Sequence, residues 1–319
     1  METVNMFEHV NPGLSFVIPA YNEEGAIVST VERLRGILAS LDIPSEIIVV
    51  NDGSKDNTGE RVRSCAGIRA VSHPINTGYG SAIKTGILCA RYSWIGIVDA
   101  DGTYDIELIP ELVERMKKGF DMVVAARRNV LELDGPFKRF FRKSLIRFLN
   151  LIIGGRIEDP NSGLRIFHRD VAMSFFPFLC NTFSFTTSIT IFALGEGYFV
   201  NYVPMNYSKR EGKSKVRHFR DSLRMMQLIL QGITFFNPVK LSIMLILALL
   251  GLGAVPAFIL ALLGMPTVAT YHLAISIASV LLFALGVLGD IIRITSTSRI
   301  NKKSSLVAEA NITEEDCAV

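Results

Sequence analysis

The stretch GIVDADGTYD, residues 96–105, closes an apolar run on Asp99, places Asp101 two positions later and follows with Gly102 and Thr103. Two carboxylates so placed stand at the carboxyl end of a strand, the edge at which open α/β sheets bind ligands. Two chemistries suit them. Asp99 could attack a phosphorylated substrate, or the two aspartates together could hold a divalent ion. The residues on either side decide between these readings and, with them, the fold.

Upstream, LSFVIPA (14–20), EIIVVN (46–51), IRAVS (68–72), WIGIVD (94–99) and DMVVAAR (121–127) are short β-branched runs. Between them lie helical patterns such as AIVSTVERLRGILASL (26–41) and YGSAIKTGILCARY (79–92). This alternation predicts an α/β domain with a mostly parallel sheet covered on both faces. Polar clusters fall at the carboxyl ends of four strands: Tyr21-Asn22-Glu23, Asp52-Gly53-Ser54, Asp99 with Asp101, and Arg127-Arg128. Their convergence on one edge predicts a single site.

DADGT also resembles the signature of the haloacid-dehalogenase phosphatases, whose nucleophile sits on the first strand of the catalytic domain. Here a long α/β segment precedes Asp99, Tyr104 follows the threonine, and no later GDxxxD pair is present. An EF-hand fails because the glycine comes two places early and Pro110 occupies the twelfth position. Helix caps for ELIPELVERM are a blander role for the two aspartates. GYGSAIKTG (78–86) lacks the third glycine of a dinucleotide fingerprint, and EGKSK (211–215) lacks the first glycine of a P-loop. A metal pair fits better, since magnesium takes few carboxylates and completes its shell with phosphate oxygens and water.

Downstream the composition changes. The chain has 319 residues, 49% of them hydrophobic, and a mean hydropathy of +0.35. The 49 residues between Lys240 and Asp290 carry no formal charge. They include 241–263 and 273–289, each near the ~20 apolar residues that cross a bilayer. Two spans are expected, about 241–263 and 271–292, within a 238–292 membrane segment. Lys240 before them and Arg293, Arg299, Lys302 and Lys303 after them predict cytoplasmic flanks and a short external loop, GMPTVAT. The start, METVNMFEHVNPG, has no signal-peptide pattern. The four cysteines show no metal spacing and read as reduced thiols. FKRFFRKSLIRFLNLII (137–153) interleaves five basic residues with aromatic and aliphatic ones, which predicts an amphipathic helix on the membrane surface. A similar juxtamembrane pattern covers 216–237. A loose acidic tail is expected at the end of a cytoplasmic segment, 293–319.

VIPAYNEE (17–24), VVNDGSKDNT (49–58), NTGYGSAIKTGI (76–87), VDADGTYD (98–105), DPNSGLRIF (159–167) and KREGKSK (209–215) resemble, in order, the motifs of family 2 glycosyltransferases. The branch most similar is that of dolichyl-phosphate mannose synthase and bacterial polyprenyl-phosphate sugar transferases. The resemblance implies a Rossmann-like GT-A domain over residues 1–215. It implies that Pro19, Tyr21, Glu23, Val50 and Asp52 line the nucleotide pocket and that Asp99 and Asp101, with Ala100 between them, bind Mg2+ or Mn2+. Thr103 stands where some relatives have Gln. Arg127, Arg210 and Lys215 match basic positions near the phosphates, with Arg142 and Arg165 as further cations, and Asp159 is expected to orient Arg165 or another cation. The implied reaction is inverting transfer of a sugar from a UDP- or GDP-linked donor to a polyprenyl phosphate at the cytoplasmic face of a membrane. Partners are then donor, lipid and membrane, with no nucleic acid. A homo-oligomer would bury lipid-facing surface of a two-span hairpin. A processive polysaccharide synthase shares the motif order but needs QxxRW, and the only tryptophan here is Trp94. A non-catalytic nucleotide-binding adaptor is opposed by the intact DxD and basic clusters.

Overall fold

The computed structural model describes residues 11–128, 156–206 and 255–311, together with 139, 143–144, 146–147, 149–150, 247–248 and 252–253. Arg142, Arg210, Lys215, the 216–237 segment and most of the 137–153 and 241–254 segments lie outside the described residues.

The apolar runs form the expected strands. β1 (Asn11–Ala20), β2 (Ser45–Asp52), β3 (Arg69–His73), β4 (Tyr92–Ile97) and β5 (Met122–Arg127) alternate with α1 (Ile27–Ala39), α2 (Thr58–Ser64), α3 (Tyr79–Cys89) and α4 (Ile109–Lys117). Two further strands follow, β6 (Arg165–His168) and β7 (Val200–Met205), with α5 (Arg169–Ser174) and α6 (Phe185–Gly195) between them. The sheet order is β3-β2-β1-β4-β6-β5-β7. All described pairings are parallel except those of β6, which runs antiparallel to both β4 and β5. Reversal of β6 brings its amino end to the edge where β4 and β5 end. Arg165 therefore pairs with Ile97 on one side and Val124 on the other.

Each face of the sheet is covered, as near-continuous apolar strands require. On one face, Phe16, Ile18, Val49, Val123 and Ile166 pack with Val31 and Leu34 of α1 and Leu112 and Met116 of α4. On the other, Val17, Ile48, Ile95, Val124 and Phe167 pack with Ile83 and Ile87 of α3 and Phe185 and Ile189 of α6.

At the carboxyl-terminal end, α7 (Val255–Leu262) and α8 (Pro266–Asn311) are joined by three residues, Leu263, Gly264 and Met265. Gly264 adopts φ +74 there, its N–H donates to the Ala261 carbonyl and that of Met265 to Leu260, which satisfies the last carbonyls of α7. Pro266 then starts α8 without a missing donor. Pro266–Gly289 is long and apolar enough to cross a membrane, with a mean hydropathy of 2.2. The helix continues to Asn311, beyond the expected end of the span at about 292 and into the first residues of the expected acidic tail. No Gly or Pro interrupts 290–311, and Ala, Leu, Lys and Glu favour continuation.

Candidate active site

The loops after β1 and β2 fasten to each other. Asn22, with φ 52, turns the chain in the left-handed region that asparagine tolerates. Its amide donates to Ser54 Oγ at 3.0 Å, and its Oδ1 accepts from the Lys55 amide at 2.8 Å. The Glu23 amide donates to Thr58 Oγ1 at 2.8 Å, and the Asn57 amide to Glu24 Oε2 at 3.0 Å. Tyr21 and Glu23 are half-buried on this rim, whereas Pro19 is buried and Val50 lies wholly within the core beneath α3.

Asp52, expected to line the nucleotide pocket, bonds to the loop after β3. Only 3% exposed, its Oδ1 accepts from the Thr77 amide (2.9 Å), Thr77 Oγ1 (2.8 Å) and His73 Nδ1 (2.8 Å), and its Oδ2 from the Gly78 amide (2.8 Å). Burial pushes this carboxyl up, but the bonds from His73, Thr77 and Gly78 outweigh it and hold the pKa at about 2. Its carboxylate anchors loop 73–78 to β2.

The DADGT turn is held at both aspartates. Asp99 Oδ1 accepts from Tyr79 Oη at 2.7 Å, and the Tyr79 ring stacks on Phe183 with centroids 5.7 Å apart. Burial, then the Asp99 charge, raises the Tyr79 phenol well above its ordinary value, so it remains a donor. Asp101 Oδ1 accepts from the amide (3.1 Å) and hydroxyl (2.7 Å) of the buried Thr103. The Ala100 carbonyl accepts from Thr30 Oγ1 at 3.1 Å. Gly163, from the turn before β6, abuts Asp99: a Cβ there would lie 2.7 Å from Asp99 Oδ2. The same glycine donates its amide to Tyr104 Oη at 2.7 Å. Among the described residues no three His, Cys, Asp or Glu side chains gather as a metal set. The DADGT turn can thus offer two hard oxygen donors, which fits an ion such as Mg2+ whose remaining positions go to phosphate and water.

Beside Gly163, Asp159 forms a bidentate pair with Arg127, Nε to Oδ2 at 2.7 Å and Nη2 to Oδ1 at 2.9 Å. The Arg127 amide adds a bond to Oδ2 at 3.1 Å and the Asn161 amide one to Oδ1 at 3.2 Å. Burial raises the Asp159 carboxyl, and the Arg127 bonds and charge reverse this and leave it below the ordinary value. Asp159 thus orients Arg127, not Arg165. The expectation that Arg165 contacts a ligand meets a different placement: its side chain is fully buried, and burial lowers its guanidinium from the ordinary value.

The family profile of glycosyl transferase family 2 matches residues 15–176, just over half of the chain. The chain belongs to that family. Among its relatives, the low-salt glycan biosynthesis hexosyltransferase Agl6 of Haloferax volcanii is 31% identical over 249 residues, covering 75% of this chain and 59% of that protein. A dolichyl-phosphate beta-glucosyltransferase of Dictyostelium discoideum is 28% identical over 246 residues, covering 69% and 75%. An undecaprenyl-phosphate 4-deoxy-4-formamido-L-arabinose transferase of Serratia proteamaculans is 33% identical over 193 residues, covering 55% and 57%. The chain spans less than two thirds of the first and third of these relatives. Glucosyl-3-phosphoglycerate synthase from Mycobacterium tuberculosis, crystallised with phosphoglyceric acid, superimposes with a TM-score of 0.54 at 20% identity, covering 70% of this chain and 79% of that one. At that identity the likeness is one of fold, and it places this family 2 glycosyltransferase domain in the GT-A-like class.

In this family 2 chain, the structure brings Asp99, Asp101, Thr103, Arg127 and Asp159 to one edge and leaves Arg165 and Val50 inside. Sequence reasoning missed Tyr79, Tyr104 and Gly163. Tyr79 stood in the NTGYG motif between two glycines, and the glycines drew attention as turn formers. Nothing in local sequence signals that its hydroxyl reaches Asp99, twenty positions away.

Proposed function

We propose that this chain is a membrane-anchored, inverting glycosyltransferase that moves one sugar from a UDP- or GDP-linked donor to a polyprenyl phosphate at the cytoplasmic face. The observation that carries the reading is the contact of Gly163 with Asp99, which sets the Asp99/Asp101 turn beside the Arg127–Asp159 pair. A donor diphosphate over the first and an acceptor phosphate over the second would meet at that contact. The names of the Dictyostelium and Serratia relatives support a polyprenyl-phosphate acceptor.

Asp99 and Asp101 would hold Mg2+ or Mn2+, which when bound supplies positive charge to the departing nucleoside diphosphate. Tyr79 fixes the orientation of the Asp99 carboxylate through its hydroxyl. Arg127, aligned by Asp159, offers a planar cation to phosphate oxygens. Arg142, Arg210 and Lys215 are proposed to add charge for the two phosphorylated groups, which repel each other. No side chain is needed as a base, because a phosphate monoester loses its second proton at a pKa of about 6 and arrives as its own nucleophile. Asp159 is unsuited to that task, being occupied by Arg127 and the Asn161 amide.

The membrane part of the reading rests on Pro266–Gly289, on the uncharged 241–289 stretch and on the basic residues that flank it. In a background with the native cysteines replaced, Thr267→Cys should react with an impermeant reagent on intact cells, while Asn5→Cys and Ala310→Cys should not. Function is tested by incubating the membrane-embedded chain with UDP-, GDP- and deoxysugar nucleotides and a short polyprenyl phosphate. Formation of a glycosyl-phosphoryl lipid with inverted anomeric configuration is expected. Transfer only to water-soluble acceptors would overturn the lipid assignment.

A further inference from the structure

The DPNSG turn is held from below by a cation that reaches no carboxylate through a hydrogen bond among the described residues. Arg165 is 0% exposed, on the α6 side of the sheet. Its Nε and Nη2 donate to the Ser162 carbonyl at 3.1 and 2.6 Å, and Nη2 also donates to the Pro160 carbonyl at 3.2 Å. Its Nη1 donates to the Thr186 carbonyl at 3.0 Å and to Thr190 Oγ1 at 2.8 Å. One guanidinium thus ties the turn to the first part of α6. Thr187 Oγ1 adds a hydrogen bond to Asn161 Oδ1, and Ser162 Oγ donates to the Ala125 carbonyl at 2.6 Å.

A buried cation with neutral oxygen partners is a poor device for stability, because desolvating the charge is costly and an apolar residue of similar volume would pack at less expense. Its geometry explains it better. Five N–H donors in a rigid plane reach two alternate carbonyls of the turn, those of Pro160 and Ser162, and a helix together, which the point charge of lysine cannot do. The residues so fixed are those that matter at the sheet edge: Asp159, whose carboxylate aligns Arg127, and Gly163, whose missing side chain leaves room for Asp99.

We propose that Arg165 is a positioning residue: by clamping residues 160–162 to α6 it sets the relation of the Arg127–Asp159 pair to Asp99. The proposal rests on the reading of that edge as the transfer site, and the experiment separates the two. Thr190→Val removes one acceptor of the guanidinium at a distance from the edge, while Arg165→Lys and Arg165→Met change the cation itself. Three quantities are measured on the membrane-embedded chain: hydrogen exchange at the Asn161 and Gly163 amides, UDP and GDP affinity with Mn2+, and kcat and KM for a short polyprenyl phosphate.

For Thr190→Val, exchange at those two amides should rise about tenfold while β1 and β2 amides stay protected. Nucleotide affinity should stay within about twofold, and kcat should fall about tenfold, as displacement of reacting groups produces. The double variant Thr190→Val/Asp159→Asn should be no slower than Asp159→Asn alone, because both act through one turn. Arg165→Lys should recover more activity per folded molecule than Arg165→Met. Unchanged exchange at the turn, or strictly additive kinetic losses, would overturn the proposal. So would a lowered melting temperature with unaltered kinetic constants, since that marks a merely structural role. If the wild type transfers nothing to polyprenyl phosphate, the acceptor assignment fails, and exchange together with donor hydrolysis decides on Arg165.

Discussion

Loops 21–24, 51–58 and 73–78, at one side of the sheet edge, are laced to one another by bonds among largely half-exposed groups such as Asn22–Lys55 and Glu24–Asn57. Turn 159–165, at the other side, is fixed from inside by Arg165 and by the Arg127–Asp159 pair, whose side chains are 11% and 10% exposed. Water can replace a lost partner on the first side, so single bonds there are worth little each. On the second side a lost partner strands a desolvated group, and the loss is larger. The two sides meet at Asp99, which takes Tyr79 from one and Gly163 from the other.

The largest expected effect lies at that meeting point. Asp99→Asn and Asp101→Asn should each lower turnover about a thousandfold, roughly 4 kcal/mol of transition-state stabilisation, across a Mg2+ or Mn2+ titration. A covalent aspartyl-phosphate trapped on Asp99 in the wild type would reject the ligand role. Next is Arg127→Ala, which leaves the Asp159 carboxylate buried and unpaired and should cost about 3 kcal/mol in urea unfolding, whereas Asp159→Asn should cost less. Equal losses for an exposed-loop variant such as Glu24→Ala would break the contrast between the two sides.

Asp52 tests the exception, a buried carboxylate on the laced side. Its folded pKa of about 2 lies below the ordinary 3.8, so its contribution is fully present above pH 4 and is lost as pH falls through 2. Asp52→Asn should lower stability at pH 7 by about 2 kcal/mol and flatten the acid limb between pH 4 and 2. A variant with an unchanged acid limb would show that the loop 73–78 bonds carry no such weight. The smallest effect is that of Gly163→Ala. The added methyl crowds Asp99, and turnover should fall about tenfold, near 1.4 kcal/mol, with little change in melting temperature.

The laced side was legible in the sequence because each of its polar clusters directly follows a β-branched run, as in VVNDGS, and strand ends of a parallel sheet share an edge. The short apolar runs of β6 and β7 were not legible. RIFH is four residues long, and its place between β4 and β5 is set by pairing with Ile97 and Val124, far away in the chain. The burial of Arg165 follows from that pairing, so local sequence gave it the look of one more surface cation. Asp52 was legible as a strand-end carboxylate, but its partners, His73, Thr77 and Gly78, come from the next strand and loop.

β6 is inserted between two strands that precede it in the chain, and this orders events during synthesis. A polypeptide emerging from the ribosome releases β1 to β4 as a set that can pair at once, with short connections and local contacts. β5 emerges next but has no described pairing with β4, and the two are joined only when Arg165–His168 arrive. Contacts of such long sequence separation form late because the intervening loop must first be closed. A nascent chain halted before Arg165 therefore carries one open edge on β4 and both edges of β5 with unpaired N–H and C=O groups, each a template for pairing with another chain. Pauses in translation before β6 and β7 have emerged would be the ones most prone to produce aggregates, because β6 closes the gap between β4 and β5 and β7 covers the other edge of β5.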